Sequence, residues 1–252
     1  MFVVDANILQ PLIDVANAVL KFFHDNVGLS WGMSIVALTV CTRALLIPLT
    51  YKQLKGMRAM QALQPQIKEI QEKFKNDKQR MQQEMMRFYK ENKVNPLASC
   101  IPLIAQLPVF ITLFYTLRHE LPPDMGCEAG HCSAYGAEFL FVKDLTASAH
   151  GAELIALLVL YVGTQLLSGF FMSVTADKSQ RTMMFVLPLI FVPFVISFPA
   201  GLIVYWITTN IWTIGQGLVI KRIIPAPVVA TVEEKRAAKP PPKPPKKKKR
   251  RR

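Results

Sequence analysis

The sequence predicts an all-α integral membrane protein with five transmembrane helices, and three observations predict it. Of the 252 residues 51% are hydrophobic, and the mean hydropathy is +0.26, a balance that sets the chain apart from soluble domains. Five stretches, 31–50, 97–117, 153–174, 182–198 and 200–220, are apolar over roughly the length a helix needs to cross about 30 Å of hydrocarbon. Between them the basic residues are unevenly shared. Segment 51–96 holds eleven Lys or Arg and the tail from Lys221 holds thirteen, whereas 119–152 holds only Lys143 against Glu120, Asp124, Glu128, Glu138 and Asp144. Positive charge stays on the cytoplasmic side, so the chain runs N-out to C-in. The short 175–181 connection, with Lys178 and Arg181, falls on that side too. No inverted internal repeat is evident.

Residues 1–30 form the first element. The opening Met1-Phe2-Val3-Val4-Asp5 has neither the basic start nor the following cleavage site of a secretory signal. From Pro11 to Asn26, Leu12, Val15, Val19, Phe22 and Phe23 share one helical stripe, while Asp14, Lys21 and Asp25 fall elsewhere. That pattern suits an amphipathic helix lying in the outer interface of the membrane. Span 1 follows at 31–50; its Cys41 lacks the flanking small residues of a lipoprotein cysteine.

Segment 51–96 reads as a cytoplasmic helical hairpin. Leu63, Ile67, Ile70 and Phe74 make one stripe, and Met81, Met85 and Phe88 another, around a turn near Asn76-Asp77. Met57, Met60, Met81, Met85 and Met86 suit a platform that repacks around many apolar shapes. A basic spacer that only enforces topology is the plainer alternative. Span 2 at 97–117 leads to an outer loop, 118–152. There Cys127 and Cys132 lie close in sequence where oxidation can join them. His131 between them lacks an obvious fourth ligand for zinc, so neither a metal nor a cofactor is expected. Spans 3, 4 and 5 cover 153–174, 182–198 and 200–220. Pro188 and Pro193 in the fourth are tolerable where neighbours or water satisfy the freed carbonyls.

The tail, 221–252, is of different material. Pro240 to Pro245 should be extended, and Lys246, Lys247, Lys248, Lys249, Arg250, Arg251 and Arg252 form an unbroken run of charge with nothing apolar to bury. Such a run binds polyanions without reading sequence, here anionic lipid headgroups or ribosomal RNA.

Arg43 is the strongest pointer to function. It lies about 18 Å along a helix from Trp31 and about 10 Å from Thr50, well inside the hydrocarbon. An arginine there costs between about 2.5 and 17 kcal/mol, depending on how far water and lipid rearrange. A carboxylate on a neighbouring helix would offset this. The apolar stretches contain none except Glu153, at the very edge of its segment. Water, lipid phosphate or a visiting partner must therefore solvate the charge; simple snorkelling towards headgroups is the plainer alternative.

Several motifs occur in a fixed order: Arg43-Ala44-Leu45-Leu46-Ile47-Pro48-Leu49, Leu63-Gln64-Pro65, Asn95-Pro96-Leu97, Cys100-Ile101-Pro102, Gln106-Leu107-Pro108, Phe198-Pro199-Ala200-Gly201-Leu202, then Tyr205-Trp206 and Asn210. Over about residues 10–222 the chain closely resembles the YidC-type membrane protein insertases of bacteria, whose relatives serve mitochondria and thylakoids. The resemblance implies a five-helix core with a hydrophilic groove open to cytoplasm and lipid but closed to the outside. By position, Arg43 matches the groove arginine, and Gln106, Leu107 and Phe110 match client contacts of the second span. Gln165 resembles a groove residue of the third span, and Tyr205 and Trp206 match the aromatic pair of the last. The chain differs from Gram-negative forms in lacking a large outer domain and first anchoring span, and from many Gram-positive forms in lacking a lipoprotein signal. The cysteine pair and the Lys/Arg run are outside the common pattern.

The expected function is that of an insertase and foldase in the bacterial plasma membrane, passing short polar client segments across the bilayer. It would act alone or beside a Sec translocon, as a monomer, with nascent membrane proteins, ribosomes and lipids as partners. No bond is made or broken, and no Walker loop, Ser-His pair or zinc set is present, so no enzyme activity is expected. The alternative is a transporter or channel using Arg43 as an anion site.

Overall fold

A computed structural model describes residues 9–92, 94–95, 101–129, 131–173 and 178–223, and among them regular structure is almost wholly helical. Helix α1 (Gln10–Lys21), with Pro11 in its first turn, runs on through a π turn at Phe22–Asn26. It carries two apolar rows rather than one. Ile13, Ala16 and Leu20 are buried against the rest of the protein, while Leu12, Val15 and Phe22 of the stripe read from the sequence stay exposed. The buried row is spaced three and four residues apart, so it was available to the same reading and was missed.

Helix α2 (Trp31–Leu45) starts where the Ser30 hydroxyl accepts a 3.3 Å hydrogen bond from the Met33 amide. It stops well short of the expected Thr50. The chain breaks at Leu46 and continues as α3 (Ile47–Ala62), bent by 54° over its first turns. Pro48 supplies the reason, since it offers no N–H and its ring clashes with the preceding turn. The single helix expected over 31–50 is thus corrected to two. At 15 residues, α2 reaches only about 22 Å, less than the hydrocarbon thickness.

The expected two-helix hairpin is likewise subdivided. Helix α3 ends at Ala62, α4 (Gln64–Lys73) carries Pro65 in its first turn, and α5 (Lys78–Glu91) is capped by Asp77, whose carboxylate accepts from the Arg80 amide at 3.0 Å. Helix α6 (Ile101–Tyr115) passes through a π turn at Thr116–Glu120 into α7 (Leu121–Met125), so the outer segment begins as helix rather than loop. Asp124 on α7 takes Lys21 at 2.6 Å and the Asn17 amide at 3.0 Å, lashing α1 to α7. Helices α8 (Gly151–Ser173), α9 (Lys178–Val195) and α10 (Ala200–Ile223) complete the chain.

Among the described residues, Gly151–Phe171 of α8 is the one unbroken helix long and apolar enough by itself to cross a membrane, with mean hydropathy 2.0; α2 and the start of α3 qualify if the bent pair is counted together. Helix α6 is 15 residues long as described, and α9 is 18 with Lys178 in its first turn. Helix α10 packs against α8, α2 and α6, and α8 also holds α9.

The core lies at one end of this bundle. Trp31 and Ile35 from the start of α2, Leu113 from the end of α6, Leu117 from the π turn after it, Leu157 and Tyr161 from the first half of α8, Val195 from the end of α9 and Ala200 to Tyr205 from the start of α10 form one buried cluster. Leu20, Leu121, Val142, Leu145 and Ala149 close it over. The 126–150 loop is therefore a structural lid. Asp144 organises it, accepting from the Cys132 amide at 2.7 Å, the Thr146 amide at 2.8 Å and the Thr146 hydroxyl at 2.7 Å. The lid also satisfies the orphan amides at the start of α10: Ala200 donates to the Ala147 carbonyl at 2.7 Å and Gly201 to the Leu145 carbonyl at 2.9 Å. Glycine suits this close approach, because a Cβ at Gly201 would meet the Leu145 carbonyl oxygen at 3.0 Å and the Leu117 side chain at 3.1 Å, both tighter than ordinary contact. At Gly32, a Cβ would land on the ring of Phe139, which seats the lid on α2.

Candidate functional site

From Tyr205 at the edge of this core and onward along α10, the bundle is built differently. Arg43 sits in the last turn of α2, half-buried, where the partial negative charge of the helix C-terminus favours a cation. It forms no ion pair among the described residues; the pairs present there are Lys21–Asp124 and Arg87–Glu91. Across from it, Tyr205 of α10 comes close enough for the two groups to interact.

Tyr205 opens a row. The Tyr205 hydroxyl, Thr209 hydroxyl, Trp212 indole N–H and Gln216 amide nitrogen are all buried without a hydrogen bond of ordinary geometry, although Thr209 lies beside the Tyr205 hydroxyl. Spacings of four, three and four residues put them on one face of α10. The Thr112 hydroxyl of α6 is orphaned in the same way. Leaving such a group unpaired in a dry interior costs about 1–3 kcal/mol; a sixth such atom, Asn17 Oδ1, lies on α1 at the lid end, so it is the shared face of the four on α10 that argues for a space water or a polar segment can enter. Other hydroxyls of the bundle do not share this state. Thr39, Thr116, Thr208 and Thr213 each donate to the carbonyl four residues back, at 2.7–3.0 Å. Sequence reasoning missed Thr112, Thr209, Trp212 and Gln216. Their spacing along an apolar helix was the available signal for the last three, and tryptophan hid it by counting as hydrophobic.

The remaining candidates are scattered around this face. Phe110 and Trp206 are brought together, stacked at 5.3 Å between ring centres, and both touch Phe198, at 5.5 and 5.9 Å. Tyr161 reaches Trp206 at 5.7 Å, so the aromatic pair also bridges α6, α8 and α10 structurally. Gln106 is half-buried and Leu107 exposed on α6, and Gln165 is half-buried on α8; neither glutamine hydrogen-bonds among the described residues. Asn210 does have a partner, donating to the Thr164 hydroxyl at 3.2 Å, and so ties α10 to α8. Cys127 and Cys132 are joined as a disulfide, which leaves no free thiol beside His131. A cleft of about 430 Å³ lies at the lid end between Lys21, His24, Asp25, Trp31, Asp124 and Tyr135, away from Arg43. Its Asp124 is already engaged by Lys21 and Asn17. Lys246 to Arg252 fall outside the described residues.

Known proteins share this architecture. The sequence profile of the family described as 60Kd inner membrane protein matches residues 22–227. The membrane protein insertase YidC of Streptomyces avermitilis is 36% identical over 234 residues, covering 82% of this chain and 55% of that protein. Proteins of the same name from Histophilus somni (strain 129Pt) and Mannheimia succiniciproducens are 39% and 37% identical, over 77% and 85% of this chain but only 34% and 37% of their own lengths. Among solved structures, one described as an active YidC insertase with the first transmembrane domain resolved aligns with a TM-score of 0.63 at 25% identity, covering 86% of this chain and 46% of that one. The chain thus spans between about a third and about half of these relatives. None of them favours a transporter or channel.

Proposed function

The chain belongs to the 60Kd inner membrane protein family, whose matched relatives are named membrane protein insertase YidC, and from that premise we propose that it is a multi-pass insertase and foldase of the bacterial plasma membrane, moving short polar segments of client proteins across the bilayer through a groove around Arg43. One observation carries this reading: Arg43 makes no ion pair among the described residues and lies near Tyr205, which heads a row of buried, unpartnered polar atoms running along one face of α10. With the lid outside and the basic segments inside, the polar end faces the cytoplasm.

The work needs no chemistry, only a lower barrier. Carrying a charge through intact hydrocarbon is costly. Water entering as far as Arg43 shortens the dry distance to about 18 Å of helix, and the fixed cation attracts acidic residues of the client's leading segment. Tyr205, Thr209, Trp212 and Gln216 exchange hydrogen bonds with that segment or its water. Gln106, Leu107, Phe110 and Gln165 border its path, and Trp206 lies behind them. The client's apolar helix meanwhile leaves sideways into lipid. The short α2 and the proline-bearing α9 favour a locally thinned bilayer.

The other parts have supporting roles. The hairpin after α3 captures clients, and the Lys246–Arg252 run holds translating ribosomes by their RNA, with anionic lipid as its competing ligand. The disulfide keeps the outer lid closed. A monomer suffices, working alone or beside a Sec translocon. The test is client insertion by the full protein in a depleted strain. Arg43→Lys should retain much activity, losing only the planar fork. Arg43→Ala should fail with clients whose outer tails are acidic. Equal insertion of such clients by the alanine variant would overturn the groove reading.

A further inference from the structure

The lid carries a projection that its own packing does not require. Phe139 and Val142 face each other in a tight hairpin, Phe139 donating to the Val142 carbonyl at 2.9 Å and Val142 returning a bond at 2.8 Å. The base of this hairpin is fixed, with Val142 buried and Phe139 seated on Gly32 at the start of α2. Its tip is not: Leu140 is 85% exposed and Phe141 is 45% exposed. Leu140 also has φ of +54°, a left-handed conformation that suits Gly, Asn or Asp and is unfavourable for leucine. A strained backbone that presents a large apolar side chain to water gains nothing in the folded chain.

We infer that the Leu140–Phe141 tip inserts into the outer leaflet, as an apolar finger fixed beside the first span. The inference rests on the proposed orientation, with the lid outside. Three features commit it to lipid. The tip adjoins the outer end of α2, where Met33 is also exposed, and so continues the apolar surface the bilayer must cover. Exposed Glu138 and Lys143 bracket the four apolar residues, placing charge at headgroup level while the tip reaches below it. At the same end of the molecule the exposed row Leu12, Val15 and Phe22 of α1 offers a second lipid contact. Two side chains are far too little surface for a stable dimer, which buries about 1,200–2,000 Å².

The test uses the full chain in vesicles of phosphatidylethanolamine and phosphatidylglycerol with brominated acyl chains. Single tryptophans are added in separate variants, Leu140→Trp and Phe141→Trp, and each is read as a difference from the parent protein. Val159→Trp, at an exposed position on α8, reports whether the bundle spans the bilayer; Glu128→Trp in the lid reports water. Leu140→Trp should be quenched by bromolipid at least half as strongly as Val159→Trp, and be several-fold less accessible to acrylamide than Glu128→Trp. Phe141→Trp should behave likewise. If both tip variants match Glu128→Trp while Val159→Trp is quenched, the finger is wrong and the spanning reading stands. If Val159→Trp itself escapes quenching, the spanning reading fails and the finger with it. Shielding from both quenchers that disappears on dilution into more lipid would mean that a second copy covers the tip, and would also overturn the proposal.

Discussion

Gly32 shows how much one missing carbon can decide. The ring of Phe139 occupies the space a Cβ would need, and through it the lid rests on α2. Gly32→Ala should lower stability by about 1–3 kcal/mol, the usual cost of overpacking, seen as a lower unfolding temperature in detergent. Adding Phe139→Ala should recover part of that loss, so the pair should be non-additive. Trp212 makes the opposite case. Its indole N–H is buried without a partner, so Trp212→Phe removes a desolvation cost and should leave the unfolding temperature unchanged or higher. If α10 presents a wetted face to clients, the same variant should slow their insertion. A loss of both stability and insertion would instead make Trp212 an ordinary core residue. Arg43 was legible in the sequence because a formal charge stands out in an apolar run. Trp212 and Gln216 were not, because orphaning is a property of the assembled bundle, and it appears only once the neighbours fail to supply a partner.

At the scale of elements, the sequence located most helices but misjudged their continuity. Apolar composition does not register the 54° bend after Leu45, although Pro48 announced it. In α1 the two apolar rows overlap enough to read as one. The hairpin is the element with the clearest consequence. Neither α4 nor α5 buries a single residue, and the two are joined by the Asp77 cap and modest mutual contact. Amides of α4 and α5 should therefore exchange with deuterium far faster than those of α8 and α10, since little packing must be broken to open them. Deleting Lys68 to Arg87 should reduce client crosslinking while the bundle stays folded. Unchanged insertion and crosslinking would reduce the hairpin to a spacer.

For the whole molecule, the helical class followed from hydropathy, a property of long segments that survives any error in boundaries, and the charge asymmetry supports the proposed orientation in the same way. The orphaned polar row along α10 did not follow, because it depends on which residues of different helices meet. The tail can be tested from composition alone. Truncation after Pro245 removes seven adjacent cations, so it should abolish ribosome co-sedimentation at low salt in neutral detergent, and binding by the full chain should fall steeply as salt rises. If the truncated protein pellets equally well, the basic hairpin becomes the docking element.

The hydrogen-bonded closure of the lid over the start of α10 has an electrical consequence. Water conducts, so under the proposed reading a groove wetted up to Arg43 would stand close to the cytoplasmic potential, and the lid surface at the outer one. The whole membrane voltage would then fall across the dry layer between Arg43 and the Ala200–Gly201 amides, rather than across the full bilayer. A client carboxylate crossing that layer would collect the same energy, about 2.3 kcal/mol per charge per 100 mV, over a shorter path and therefore under a stronger force. The sealed end would thus set the steepness of the field as well as prevent leakage of ions.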